Sequence, residues 1–131
     1  MAERGEGHYP YQAPIDAYGN GGFRFAEMSH RGSLLCLPSG MHAWEVTSFE
    51  ELTLDALAPV FEVAEALDVL LIGVGPRFQP LSRELKAAFR EHNIVAEPAS
   101  TGSAARTYNV LLAEERAVGA ALIAVADAGN R

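Results

Sequence analysis

The strongest constraint on the fold of this chain is the pattern of its second half, Val69 to Val125. Val69-Leu-Leu-Ile72 is a continuous apolar run, the pattern of a strand covered on both faces. A helical stripe follows, Leu81, Leu85, Ala88, Phe89 and His92, with Pro80 suited to the first helical position. Ile94–Glu97 predicts a second short strand. Ala104, Tyr108, Leu111 and Leu112 then predict a second helix, with Ser100 or Thr101 as its N-cap. Ala117–Val125 closes as an apolar strand. Parallel strands need long crossovers, so strand, helix, strand, helix, strand implies an α/β domain with a mostly parallel sheet.

The first half has a different texture. Tyr18-Gly-Asn-Gly-Gly22 is turn material. From there Phe23 and Phe25 alternate with Arg24, as on a half-buried strand. Turns at His30-Arg-Gly-Ser33 and Pro38-Ser-Gly40 would lead into Leu34–Leu37 and Met41–Val46, which together predict a small β-meander. Leu57, Val60, Phe61 and Ala64 recur at helical spacing, with Pro59 in the first turn or breaking the helix there. The organisation expected is a loose polar tail over residues 1–13, one domain over 14–126, and a short tail over 127–131.

Composition narrows the functional classes. A chain of 131 residues, 49% of them hydrophobic, suits one domain with a real core. Its 17 Asp and Glu against 10 Lys and Arg give a net charge of -7, which repels phosphate backbones and argues against nucleic-acid partners. Cys36 is the sole cysteine, which excludes an intrachain disulfide and fits a reducing compartment. The apolar runs Val69–Val74 and Ala117–Ala126 are far short of the ~18–20 residues a spanning helix needs, so no direct membrane insertion is expected. Met1–Ala13 has no apolar segment of the secretory kind and is neither Arg-rich nor acid-poor. A soluble, cytoplasmic bacterial protein is the expectation.

Two segments carry site-building chemistry. Gly73-Val-Gly75-Pro-Arg77 follows a strand, and its N–H groups could form an anion-binding concavity. Phe78 occupies the third glycine position of a dinucleotide fingerprint and no Gly-Lys-Ser/Thr is present, so nucleotide binding is disfavoured. A tight strand-to-helix turn is the simpler reading. Arg106, Thr107 and Asn109 lie within one turn of the second predicted helix, with Thr101 at its start. One reading has Arg77, Arg106 and Asn109 converging on an anionic ligand beyond the carboxyl ends of the strands. The other has Thr107 and Asn109 bonding nearby loop backbone, for instance the Gly73–Arg77 turn, while Arg106 pairs with a carboxylate. His8, His30, His42 and His92 show no metal-ligand spacing, no serine-hydrolase elbow exists, and Cys36 reads as a core hydrophobe. No metal, cofactor or catalytic residue is expected. Trp44, Tyr18 and Phe23 read as core residues first and as an exposed aromatic patch second.

Taken together, Leu71-Ile-Gly73-Val-Gly75, Pro80 before a helix, Thr101-x-x-Ala-x-Arg106-Thr107-Tyr108-Asn109-x-Leu111 and Ala120-Ala-Leu resemble the Mth-type domain-of-unknown-function family. The likeness covers roughly Pro14 to Val125, and the Arg-Thr-Tyr-Asn segment is its specific part. His92-Asn93 and Glu115 stand where members often carry glycine. The resemblance implies a three-layer α/β fold with a mixed central sheet and no established catalytic activity. Its members include many small bacterial proteins and a mitochondrial factor that helps assemble respiratory complex I as a protein partner. The expectation that follows is a non-enzymatic binding or assembly factor, a monomer or weak homodimer, with a protein partner such as membrane-complex subunits. The alternatives are an anion- or metabolite-binding module or enzyme using residues 73–77 and 106–109, and a purely structural or oligomerising domain.

Overall fold

The computed structural model describes residues 8–128. Among them, nine strands form two sheets. The strands are β1 (His8–Tyr9), β2 (Ala17–Gly19), β3 (Gly22–Phe25), β4 (Met28–Arg31), β5 (Ser33–Leu37), β6 (Gly40–Trp44), β7 (Val69–Gly73), β8 (Val95–Ala99) and β9 (Val118–Leu122). The helices are α1 (Ala58–Glu62), α2 (Arg83–Glu91) and α3 (Thr101–Ala113).

The large sheet runs β1-β6-β5-β9-β7-β8. Pairing is parallel from β8 through β7 to β9, as the strand-helix alternation requires. It turns antiparallel at β9–β5 and stays so through β6 and β1, so the sheet is mixed and parallel only in its C-terminal half. The hairpin β5–β6, expected to belong to the meander, instead extends this sheet. Both faces of β5 are buried, which accounts for its unbroken Leu34-Leu-Cys-Leu37 run. The meander proper is β2-β3-β4, with Phe23 and Phe25 inward and Arg24 outward.

Three layers follow from strand alternation. Leu70 and Ile72 of β7 pack on one side with Leu85 and Phe89 of α2 and Val60 of α1. Leu71 packs on the other with Ala104, Ala105 and Tyr108 of α3 and with Phe23 and Phe25 of the meander. The helices after β7 and β8 therefore lie on opposite faces of the sheet. Trp44 and Phe23 belong to the core, and Cys36 is fully buried in it. His92 stacks on Phe61 with ring centroids 4.4 Å apart, joining α2 to α1.

Helix ends refine the sequence reading. α2 starts at Arg83, not Pro80, because Ser82 supplies the cap by accepting from the Leu85 N–H at 3.1 Å. Leu81 still enters the core from the extended segment ahead of it. Ser100 caps α3, accepting from the Ser103 N–H at 3.3 Å. Both helices end in the two-bond left-handed motif, with Asn93 at φ 59° and Glu115 at φ 63°. In α2, Ile94 N–H donates to Phe89 O at 3.0 Å and Asn93 N–H to Arg90 O at 3.1 Å. In α3, Arg116 N–H donates to Leu111 O at 3.0 Å and Glu115 N–H to Leu112 O at 2.9 Å. These are the two places where the sequence lacks an expected glycine. Part of the expected N-terminal tail is built into the domain: His8–Tyr9 pairs with β6 and Ala13 is buried. Residues 1–7 and 129–131 lie outside the described residues.

Candidate functional site

The carboxyl ends of β7, β8 and β9 meet at one edge, and the segments leaving them enclose a cleft of about 800 Å³. Its walls are Gly75 and Pro76 after β7, Ser100, Gly102 and Arg106 of the α3 entry, Tyr18 of β2, and residues 124–128 after β9. This is where open α/β sheets place ligands, because the connections diverge there and leave backbone groups unpaired.

Two glycines and a threonine make the corner. A side chain at Gly73 would stand 2.9 Å from the Thr101 Cα, so only glycine lets α3 enter this close to β7. Gly75 sits at φ +121°, a left-handed conformation that redirects the chain toward α2. Thr101 is fully buried, and its hydroxyl donates to Ile123 O at 2.7 Å while accepting from the Gly75 N–H at 3.1 Å. Its own N–H donates to Gly75 O at 2.8 Å. One side chain thus locks the β7 turn, the α3 entry and the strand exit of β9 together. Tyr18 lies directly over Gly102, where any larger residue would collide with its ring, and its hydroxyl donates to Ala128 O.

The specific Arg-Thr-Tyr-Asn segment divides its labour. Asn109 presents its amide to the backbone of Ile15, accepting from the Ile15 N–H and donating to Ile15 O, both 2.8 Å. Tyr108, fully buried one residue earlier, donates to Ala13 O at 2.8 Å. Gln12 donates to Val118 O at 2.7 Å. Residues 12–15 are thereby strapped across α3 and the sheet. Burial pushes the Tyr108 hydroxyl and the Cys36 thiol well above their ordinary ranges, so both stay protonated.

The candidate residues thus fall into separate places. Gly75 and Arg106 line the cleft, whereas Gly73 and Thr101 brace the junction of β7 and α3 without lining it. Asn109 bonds the Ile15 backbone, not the 73–77 turn. Thr107 and Arg77 are exposed and stand outside the cleft's lining. Of the three residues considered for an anion pocket, Arg106 alone reaches the cleft. The sequence reading missed Tyr18 as a cleft wall and Ile15 as the partner of Asn109. An isolated tyrosine beside a glycine turn and a backbone partner 94 positions away leave no local signal. Among the described residues, no group of three or more His, Cys, Asp or Glu is placed to hold a metal ion.

A family model described as a protein of unknown function (DUF498/DUF598) matches residues 15–123. The chain belongs to that family. The resemblance read from the Leu71–Gly75 and Thr101–Leu111 segments is thereby borne out. An uncharacterized protein of Rhodobacter capsulatus is 44% identical over 84% of this chain and 83% of its own length. Human NADH dehydrogenase [ubiquinone] 1 alpha subcomplex assembly factor 3 is 30% identical over 83% of this chain, which spans 59% of that relative's length. Among solved structures, one described as an outer membrane protein from Bartonella henselae superimposes with a TM-score of 0.87 at 51% identity, covering 90% of this chain and 99% of that one. A Mth938-like domain from Bordetella pertussis, 24% identical over 98% of this chain and 95% of its own, shares the fold with a TM-score of 0.77. Among the described residues, no helix is long and apolar enough to cross a membrane.

Proposed function

We propose that this chain is a non-enzymatic docking factor that supports the assembly of a membrane-bound respiratory complex by binding one of its protein subunits. The observation that carries this reading is the 30% identity, over 83% of the chain, to a human protein named as a complex I assembly factor. The fate of the signature residues supports it: Thr101, Tyr108 and Asn109 spend their polar groups on the chain's own backbone. Side chains so occupied organise a fold; they are not free to transfer protons or attack a substrate. Affinity purification from the native host tests the reading. Reproducible recovery of respiratory-complex subunits is expected, and their absence from membrane and soluble fractions alike would refute it.

A second reading rests on the cleft. Gly75, Ser100, Gly102 and Arg106 line one recess at the start of α3, where a positive dipole end and a guanidinium favour a carboxylate or phosphate. Thermal-shift titration with anionic metabolites, on the parent and on Arg106→Ala, checks it. Stabilisation of the parent that the variant loses is expected; no stabilisation of either removes this reading.

A further inference from the structure

The chain's net charge of -7 is not spread over the molecule. Residues 32–76 contain seven Asp and Glu and no Lys or Arg, whereas the rest of the chain balances ten against ten. The fold gathers four of those seven carboxylates, Glu45, Glu51, Asp55 and Glu62, around one open groove of about 910 Å³. The groove exists because the β5–β6 hairpin receives thin cover on this face. α2 packs over the β7 side, but β5 and β6 are left to the five-residue α1 and the short turn Phe49–Glu51. Trp44 closes the gap in part, donating its indole N–H to Ala56 O at 2.8 Å. Its apolar lining is completed by Ala43 and Pro59, both exposed, and by half-buried Val63.

We infer that this groove is the docking site for a basic, amphipathic segment of a partner protein, whose apolar side chains seat on Ala43, Pro59 and Val63 while its Lys or Arg side chains meet Glu45, Asp55 and Glu62. The inference rests on the docking reading above and adds the surface and the chemistry of the partner. Charge complementarity selects the occupant. A second copy would bring like-charged rims together, which costs association free energy. Phosphate-bearing partners are repelled for the same reason. A bound cation would require a converging ligand set, and none of at least three such side chains is present among the described residues. An open groove with dispersed carboxylates instead matches a segment whose cations are spaced along an apolar stripe. Glu51 is already engaged, accepting from the Thr47 N–H at 2.7 Å and the Thr47 hydroxyl at 3.1 Å, and serves the groove mainly by its field.

The test uses the full chain and a labelled amphipathic Lys/Leu helical peptide, with its Glu/Leu counterpart as the opposite charge. Glu45→Gln/Asp55→Asn/Glu62→Gln neutralises the rim isosterically. Glu91→Gln/Glu97→Gln/Glu114→Gln removes the same charge elsewhere, and matched circular dichroism and Tm for both triples exclude misfolding. Rim neutralisation is expected to weaken the Lys/Leu peptide about tenfold, and the control less than about threefold. Amide shift changes should centre on Ala43, Ala56 and Val63. Equal weakening by both triples, binding of the Glu/Leu peptide, or shift changes at the Arg106 cleft would overturn the assignment. Purification from the host separates the two claims. If the parent recovers complex subunits and the rim triple recovers them equally, the groove assignment fails and the docking function stands. If the parent recovers none while the peptides are still discriminated, the docking function fails and the groove assignment stands.

Discussion

Replacing Asn109 gives the most direct measure of what the family signature does. Its side-chain amide closes two hydrogen bonds of 2.8 Å with the backbone of Ile15, a residue 6% exposed. Asn109→Ala leaves that N–H and C=O without their partner. A net hydrogen bond contributes about 1 kcal/mol and an orphaned buried group costs about 1–3 kcal/mol. Asn109 is only half-buried, so water enters the vacated space and the low end applies to each group. The expected loss is about 2–3 kcal/mol, or roughly 8–12 °C in Tm at about 4 °C per kcal/mol. Asn109→Asp sharpens the test, because it keeps the acceptor for the Ile15 N–H and turns a carboxylate against Ile15 O. That carboxyl should have a raised pKa in the folded state, so its protonated form is the favoured one. Stability relative to the parent is then lost as pH rises through the carboxyl range and regained below about pH 4, where the acid can donate to Ile15 O. Urea titrations of the three proteins at about pH 7 and pH 4, with hydrogen exchange at the Ile15 amide, provide the readout. The reasoning is refuted if Asn109→Ala costs under about 0.5 kcal/mol, the range of an ordinary surface change, with Ile15 still protected.

Other perturbations have equally definite outcomes. Glu115→Gly should raise stability by about 1 kcal/mol in thermal melts, because a left-handed residue with a side chain costs about 1–2 kcal/mol and glycine's extra unfolded entropy offsets part of it; Asn93→Gly should gain less, since asparagine tolerates φ 59° better. Gly73→Ala should destabilise by about 2 kcal/mol or more in urea titrations, because its Cβ would lie 2.9 Å from the Thr101 Cα, and backbone must move to admit it. Stability should fall above about pH 9: Cys36 and Tyr108, with ordinary values of 9.0 and 10.0, are held protonated by burial, so the folded state retains protons that the unfolded chain releases. Cys36→Ala should flatten the onset of that alkaline loss, as followed by circular dichroism. An onset unchanged in the variant would assign it to other groups.

The legible parts of the fold were those written in local periodicity. The uninterrupted apolar run of β7, the stripe of α2 and the order of elements after Asp68 require crossovers and fix parallel pairing among β7, β8 and β9. The allegiance of β5 and β6 was not legible. A hairpin is the same local object whether it stays with the meander or adds to a larger sheet, and its pairing with β9 lies far along the chain. The start of α2 was missed by three residues because Pro80 and Ser82 both signal a helix entry, and the cap bond to Leu85 decides between them.

The candidate site divides in the same way. Gly73, Gly75 and Thr101 were visible as residue types suited to a tight turn and a helix entry, and Arg106-Thr-Tyr-Asn109 identified the family. By itself, then, the sequence determined the element order, the acidic balance and the segments that build the strand-end edge, because periodicity, charge and glycine chemistry act over a few residues. Tertiary structure alone decided that Asn109 faces Ile15, that Arg106 and not Arg77 reaches the cleft, and that four carboxylates from separate segments ring one groove. Those outcomes depend on which layers cover the sheet and which stretch of it is left thinly covered. That is settled only when strands distant in sequence pair and the remaining apolar faces compete for the same helices.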